Sequence, residues 1–121
     1  MSINLHEMFP RRPDETSAEY SLRISETLYN SSKICIFILI PPAEMETRML
    51  DSVGMEYGWC YRDRKPYVAT FIKKGTNLAT LPQGALDSMR ATWTVDCYDN
   101  IDDIFAAAIA YCESAIREMF S

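Results

Sequence analysis

Histidine and glycine are both scarce in this chain of 121 residues, which holds one histidine, His6, and four glycines. A single histidine in a segment without apolar periodicity leaves a nucleophile with no obvious base and removes the commonest neutral metal ligand. With so little glycine there is no glycine-rich loop to cradle phosphates, and no G-x-S-x-G, P-loop or H-E-x-x-H string occurs. The four cysteines, Cys35, Cys60, Cys97 and Cys112, form no C-x-x-C pair. Each lies in an apolar stretch, so they read as reduced core thiols. Long hydrophobic runs are missing too. The longest, "ICIFILIPPA" at 34–43, is too short to cross a bilayer, and "MSINLHEMFPRRPDE" at the start lacks the apolar centre of a secretion signal. The expected setting is the cytoplasm, with no membrane contact. Positive charge is short as well: 12 Lys and Arg stand against 17 Asp and Glu, a net charge of −5. That balance argues against nucleic acid, because phosphate binding draws on surplus basic charge.

What is present is enough for a core. At 48% hydrophobic and 12% aromatic residues, the chain is expected to form a single domain over 1–121, with residues 1–13 as a flexible arm and no need of disulfide, metal or cofactor. "TSAE" at 16–19 has the form of a capping box, and Tyr20, Ile24 and Leu28 recur at helical spacing, which predicts a helix over 17–30. "ICIFILI" is rich in β-branched residues without polar alternation, the pattern of a strand covered on both faces, and it is expected to be the central one. Pro41 and Pro42 stop it and open a helix on which Met45, Met49 and Val53 share a face and which Gly54 ends. Seven methionines are many; core packing is their first reading, and pliable binding surface the second.

Further along, "YGWCYRDRKPYVATFIKK" at 57–74 reads as a hairpin turning at 63–66, with Tyr57, Trp59 and Tyr61 alternating along one arm. Residues 75–89 read as loop with one helical turn at the end, "ATWTVDCY" as the last strand, and Asn100 as the cap of a helix running to about Met119. The order α-β-α-β-β-β-α predicts an α+β fold: a largely antiparallel four-stranded sheet with helices packed on it, a two- or three-layer sandwich.

In that order of elements, residues 43–120 resemble the double-stranded RNA-binding fold. That family opens its second helix with a lysine-rich phosphate clamp, whereas here the corresponding start is "NIDDIF", so RNA binding is not implied. "YGW", "YVATF" and "IDDIFAAAIAYCESA" are also similar to small phage and prophage α/β sandwich proteins, a resemblance that implies a mobile-element origin and carries no site residues.

The last helix raises the functional question. "IFAAAIAYC" at 104–112 is apolar on every side, more than one sheet face needs. If Ile101, Ile104, Phe105, Ala108, Cys112 and Met119 face the sheet, then Ala107, Ile109, Ala110 and Tyr111 must be covered by the amino-terminal helix or by a second copy, giving a homodimer through helix 101–119. Charge is segregated as well. Arg62, Arg64, Lys65, Lys73 and Lys74 lie within thirteen residues, whereas 91–116 contain no Lys or Arg and carry Asp96, Asp99, Asp102, Asp103 and Glu113. These carboxylates are spread over a strand, a turn and a helix start, which is poor spacing for a metal and ordinary for capping.

The resulting expectation is a small acidic, non-enzymatic protein-interaction module: an inhibitor, immunity or adaptor protein. It would meet a partner protein through Asp96, Asp99, Asp102, Asp103, Ile109 and Tyr111. The alternative is a small-ligand or nucleotide-binding domain built on Trp59, Tyr61, Arg62, Arg64, Lys65 and Tyr67, with the 75–89 loop as a lid.

Overall fold

The computed structural model describes residues 5–40 and 46–121, with side chains for 7–40 and 53–121. The chain divides into two compact units, Met1–Ser32 and Lys33–Ser121. The expected helix start at Pro41 and Pro42, with Met45, lies outside the described residues, as do the side chains of His6 and Met49.

In the first unit, a single turn, α1 (Leu5–Met8), precedes α2 (Ser17–Ser31). The capping box read at 16–19 is present: Glu19 N–H donates to Thr16 Oγ1 at 3.1 Å and Thr16 N–H to Glu19 Oε1 at 3.0 Å. Residues 9–15, most of which the sequence reads as an arm, are tied to α2. The Tyr20 hydroxyl donates to the Phe9 carbonyl, Arg23 Nη2 donates to the Pro10 carbonyl at 3.0 Å, and the same guanidinium pairs with Glu15 at 2.7 Å. The Arg23 hydrogen bond holds the Glu15 carboxyl down to about 2.

The second unit is a succession of strand and helix: β1 (Ile34–Leu39), α3 (Glu46–Asp63), β2 (Tyr67–Lys73), α4 (Thr80–Ser88), β3 (Thr94–Tyr98) and α5 (Ile101–Met119). The sheet has three strands in the order β1-β2-β3, and both pairings are parallel. This overturns the expected antiparallel four-stranded sheet. No hairpin spans 57–74, because residues 57–63 are the end of α3. The central strand is β2, whose residues Val68, Ala69, Thr70 and Phe71 are buried on both faces, and β1 lies at one end of the order. The segment 75–89 is not mostly loop, since it holds α4. The element order behind the RNA-binding resemblance is likewise replaced, since strand and helix alternate over 46–119.

Parallel pairing accounts for these differences. Successive parallel strands lie side by side only if the chain crosses back between them, and a helix makes that crossing without orphaned backbone groups. Both crossovers move the same way across the sheet, so one handedness puts both helices on one face, and α3 and α4 pack on each other. Aromatic alternation at 57–61 gives way to helical spacing: Tyr57 and Cys60, three apart, are both fully buried. α3 then ends in a Schellman motif: Arg64 N–H bonds the Tyr61 carbonyl at 3.2 Å and Lys65 N–H the Cys60 carbonyl at 3.1 Å. Arg64 takes the left-handed conformation there, φ +49°, a place where glycine is expected, and so the sequence hides this stop.

The sheet is covered on both sides. Toward α3, Phe37 of β1 meets Tyr57 edge-on at 4.8 Å, and Tyr57 meets Trp93 at 5.3 Å. Toward α5, Ala69 and Phe71 of β2 pack with Ile104 and Ala108, joined by Ile36, Ile38, Tyr98, Ala107 and Tyr111. The unit is a three-layer α/β/α sandwich of parallel type. One polar pair lies inside the first layer: the hydroxyls of Tyr57 and Thr70, both residues fully buried, are hydrogen-bonded at 2.7 Å.

That pair yields a prediction. Tyr57→Phe leaves the Thr70 hydroxyl buried without a partner and costs roughly 1–3 kcal/mol, whereas Tyr57→Phe with Thr70→Val costs less than the two single changes added. Denaturant unfolding of the three variants measures the coupling.

Candidate functional site

Open parallel sheets hold ligands beyond the carboxyl ends of their strands, where a free helix start draws anions. Here β2 runs into Lys73, Lys74 and Gly75, whose φ is +94°, and β3 runs into Asp99 and the start of α5. That start is occupied. The Asn100 side chain accepts from Asp102 N–H at 2.8 Å, and Asp102 and Asp103 sit exposed in the first turn, where their charge complements the helix dipole. A phosphate would meet two carboxylates there instead of bare amides.

The acidic residues singled out from sequence gather at this end. Asp96 is exposed on β3, and Asp99 is exposed in the turn, where it pairs with Lys74 at 3.6 Å. Among the described residues no group of three or more His, Cys, Asp and Glu could hold a metal ion.

The basic-aromatic set is divided. Trp59, Tyr61, Arg62 and Arg64 belong to the last turns of α3 and the residue after it, so they do not form a strand platform. There the Arg64 guanidinium lies 3.9 Å from the centre of the Tyr61 ring, and Arg62 pairs with Asp63 at 2.9 Å. Lys65 gives its carbonyl to Trp93 Nε1 at 2.8 Å. Tyr67 alternates with Ala69 and Phe71 and so faces the α5 side.

Two features escape sequence reading, and a third is only partly legible there. The first is a cavity of about 340 Å³ at the amino ends of β2 and β3, lined by Tyr67, Thr92, Thr94, Tyr111, Ser114 and Glu118 among others. Its two phenols stay protonated: burial and Glu118 raise Tyr67, and burial with Tyr67 and Glu118 pushes Tyr111 up to about 12. The cavity offers hydroxyls and one carboxylate, a set that suits hydrogen bonding and contains no activated nucleophile.

The second is a pair of thiols. Cys35 shares the α3-facing side of β1 with Phe37, and Cys60 stands one turn beyond Tyr57 on α3, so the Phe37–Tyr57 contact brings the thiols together. The Cys60 thiol, fully buried, hydrogen-bonds the half-buried Cys35. That bond, with the charge of Lys65 nearby, lowers Cys35 to about 7, while the same bond and burial push Cys60 up. All four cysteines are free, and Cys97 is exposed on β3 instead of buried as expected.

The third is the outward face of α5. Ile104, Ala108 and Ala115 are buried, with Tyr111 half-buried and 6.2 Å from the Phe71 ring, so the inward stripe is 104-108-111-115. This corrects the expected orientation: Phe105 and Ile101 turn away from the sheet, and Ala107 and Tyr111 turn toward it. Phe105, Ile109 and Ile116 are 48%, 60% and 44% exposed, and half-buried Cys112 stands between the two isoleucines. The partner-face candidates Ile109 and Tyr111 therefore lie on different sides of the helix. The only sequence signal for the exposed stripe was the all-round apolarity of 104–112.

Compared with protein-family models, curated proteins and solved structures, the chain matches none.

Cys35 carries a testable reactivity. Alkylation by iodoacetamide, followed by peptide mapping, is expected to reach half its limiting rate at a pH of about 7 at Cys35. Cys60→Ala moves that midpoint upward toward the ordinary thiol range.

Proposed function

We propose that this chain is a non-enzymatic protein-interaction module, acting as an inhibitor, immunity or adaptor protein does, and that its contact surface is the outward face of α5. One observation carries the reading: Phe105, Ile109 and Ile116, three large apolar side chains at helical spacing, stand exposed on a helix whose other apolar stripe is already used by its own sheet. Scattered apolar residues on a surface mean little, but a continuous row along one helix is what an interface core looks like before its partner arrives. The exposed carboxylates Asp96, Asp99, Asp102 and Asp103 lie at one end of that row and form its polar rim. Consistent with a binding role, the start of α5 presents two carboxylates of its own to an incoming anion.

A second reading rests on the cavity, whose volume falls within the range of small-ligand sites. It retains Tyr67 from the alternative set and replaces the hairpin with the amino ends of the strands. A small polar molecule carried through purification and seen by native mass spectrometry would support it, provided that Ser114→Trp, which fills the cavity, abolishes the signal.

For the leading reading, a photo-crosslinking benzoylphenylalanine is placed at position 109 in cells, with position 87 on the exposed side of α4 as control. An adduct with another polypeptide is expected at 109 and not at 87, and Phe105→Asp with Ile116→Asp should remove it. No adduct at 109, or equal adducts at both positions, overturns the reading.

A further inference from the structure

Neither the outward face of α5 nor the cavity uses the two thiols that meet between β1 and α3. Cys35 lies near the amino end of β1, an edge strand, and is half-buried, whereas Cys60 is fully buried in the last turn of α3. The other two cysteines stand apart from them. Cys97 is on β3, the opposite edge strand, about 10 Å away across β2. Cys112 is on α5, which covers the other face of the sheet. Of the four, only Cys35 and Cys60 are placed to bond to each other within one chain.

Their meeting is fixed on both sides. Two residues along the strand and one turn back along the helix, the rings of Phe37 and Tyr57 are in contact at 4.8 Å. Beyond the pair, Lys65 N–H bonds the Cys60 carbonyl at 3.1 Å, and the Lys65 carbonyl accepts from Trp93 Nε1 at 2.8 Å. These bonds hold the turn after α3 against the sheet, and the Lys65 charge bears on both sulfurs. Glu56 acts against it, although burial raises the Glu56 carboxyl itself. A half-buried thiolate beside a cation reacts with small oxidants, and a second thiol in contact with it closes the product before oxidation goes further.

We propose that Cys35 is a modification site for peroxides and that Cys60 closes the oxidised sulfur into a Cys35–Cys60 disulfide. The Cys35 thiolate attacks one peroxide oxygen, the O–O bond breaks with loss of hydroxide, and the sulfur becomes a sulfenic acid. The Cys60 sulfur then attacks the Cys35 sulfur. The S–O bond breaks, the S–S bond forms, and the Cys60 proton leaves with the hydroxyl as water. Together the two sulfurs lose two electrons, and the peroxide is reduced to two waters. A thiol reductant restores the pair by exchange. The bond joins the end of α3 to the edge of the sheet, and it involves neither α5 nor the interaction role proposed above.

The reduced full chain is treated with hydrogen peroxide, blocked with N-ethylmaleimide in denaturant and digested. The expected product is a Cys35–Cys60 peptide pair within one chain, about 2 Da lighter than its reduced peptides together, and dithiothreitol removes it. Cys60→Ser leaves the oxidised Cys35 without a closing thiol, so dimedone is expected to label Cys35 about fivefold or more above wild type. In Cys35→Ser, dimedone leaves Cys60 unlabelled. If Cys60→Ser fails to fold, the wild-type peptide map decides alone. Peroxide that oxidises Cys97 while Cys35 and Cys60 are both recovered alkylated overturns the proposal, as does a disulfide formed only between chains. Dimedone labelling of Cys60 in Cys35→Ser overturns the assignment of Cys35 as the attacking thiol.

Discussion

Parallel pairing of three strands is the constraint from which the larger unit follows. Strands that run the same way cannot be joined by a tight turn, so β1 and β2 must be linked by α3, and β2 and β3 by α4. Because the two links progress in the same direction, they share a face, and the other face of the sheet is left for α5. β2, flanked on both edges and covered on both sides, is the most buried strand. The hydroxyl pair of Tyr57 and Thr70 stitches the α3 layer to it at a point where an unpaired polar group would be costly.

The same constraint assigns the functional surfaces. Closing one face with α3 and α4 brings Cys60 of the helix onto Cys35 of the strand, which lowers the Cys35 thiol below the ordinary range and raises Cys60. The register of β2 against β3 places Tyr67 and Thr94 beside the carboxyl-terminal half of α5, and the space between them is the cavity. At the opposite ends of the strands the helix start that could bind an anion carries its own side-chain cap and two aspartates. The chemistry available is therefore hydrogen bonding in one place, thiol reactivity in another and apolar contact along α5.

Parts of this were legible in the linear pattern, and the reasons are local. The capping box at Thr16 and Glu19, the cap at Asn100 and the helices they begin are decided by contacts between residues a few positions apart. β1 and β2 were legible as strands from their β-branched runs, although not which of them lies between neighbours. The hairpin was misread because Tyr57, Trp59 and Tyr61 favour extended structure and because Gly54 read as the end of the preceding helix, while the actual stop, Arg64, carries no glycine. α4 was hidden for a similar reason: its first turn contains Pro82, which is tolerated there, and its cap position is Ala79, which supplies no side-chain bond.

By itself, then, the sequence determined that a core forms, where two helices start, and that the last helix is apolar over more of its circumference than one packing surface needs. Tertiary structure alone decided the direction of strand pairing, the helical state of 57–63, the meeting of Cys35 with Cys60, and which of two adjacent stripes on α5 faces inward. The division is physical. Caps and strand propensities act between near neighbours, whereas 104-108-111-115 and 105-109-112-116 have equal claims on a hydrophobic neighbour until Phe71 and Ala69 arrive from a distant strand to choose between them.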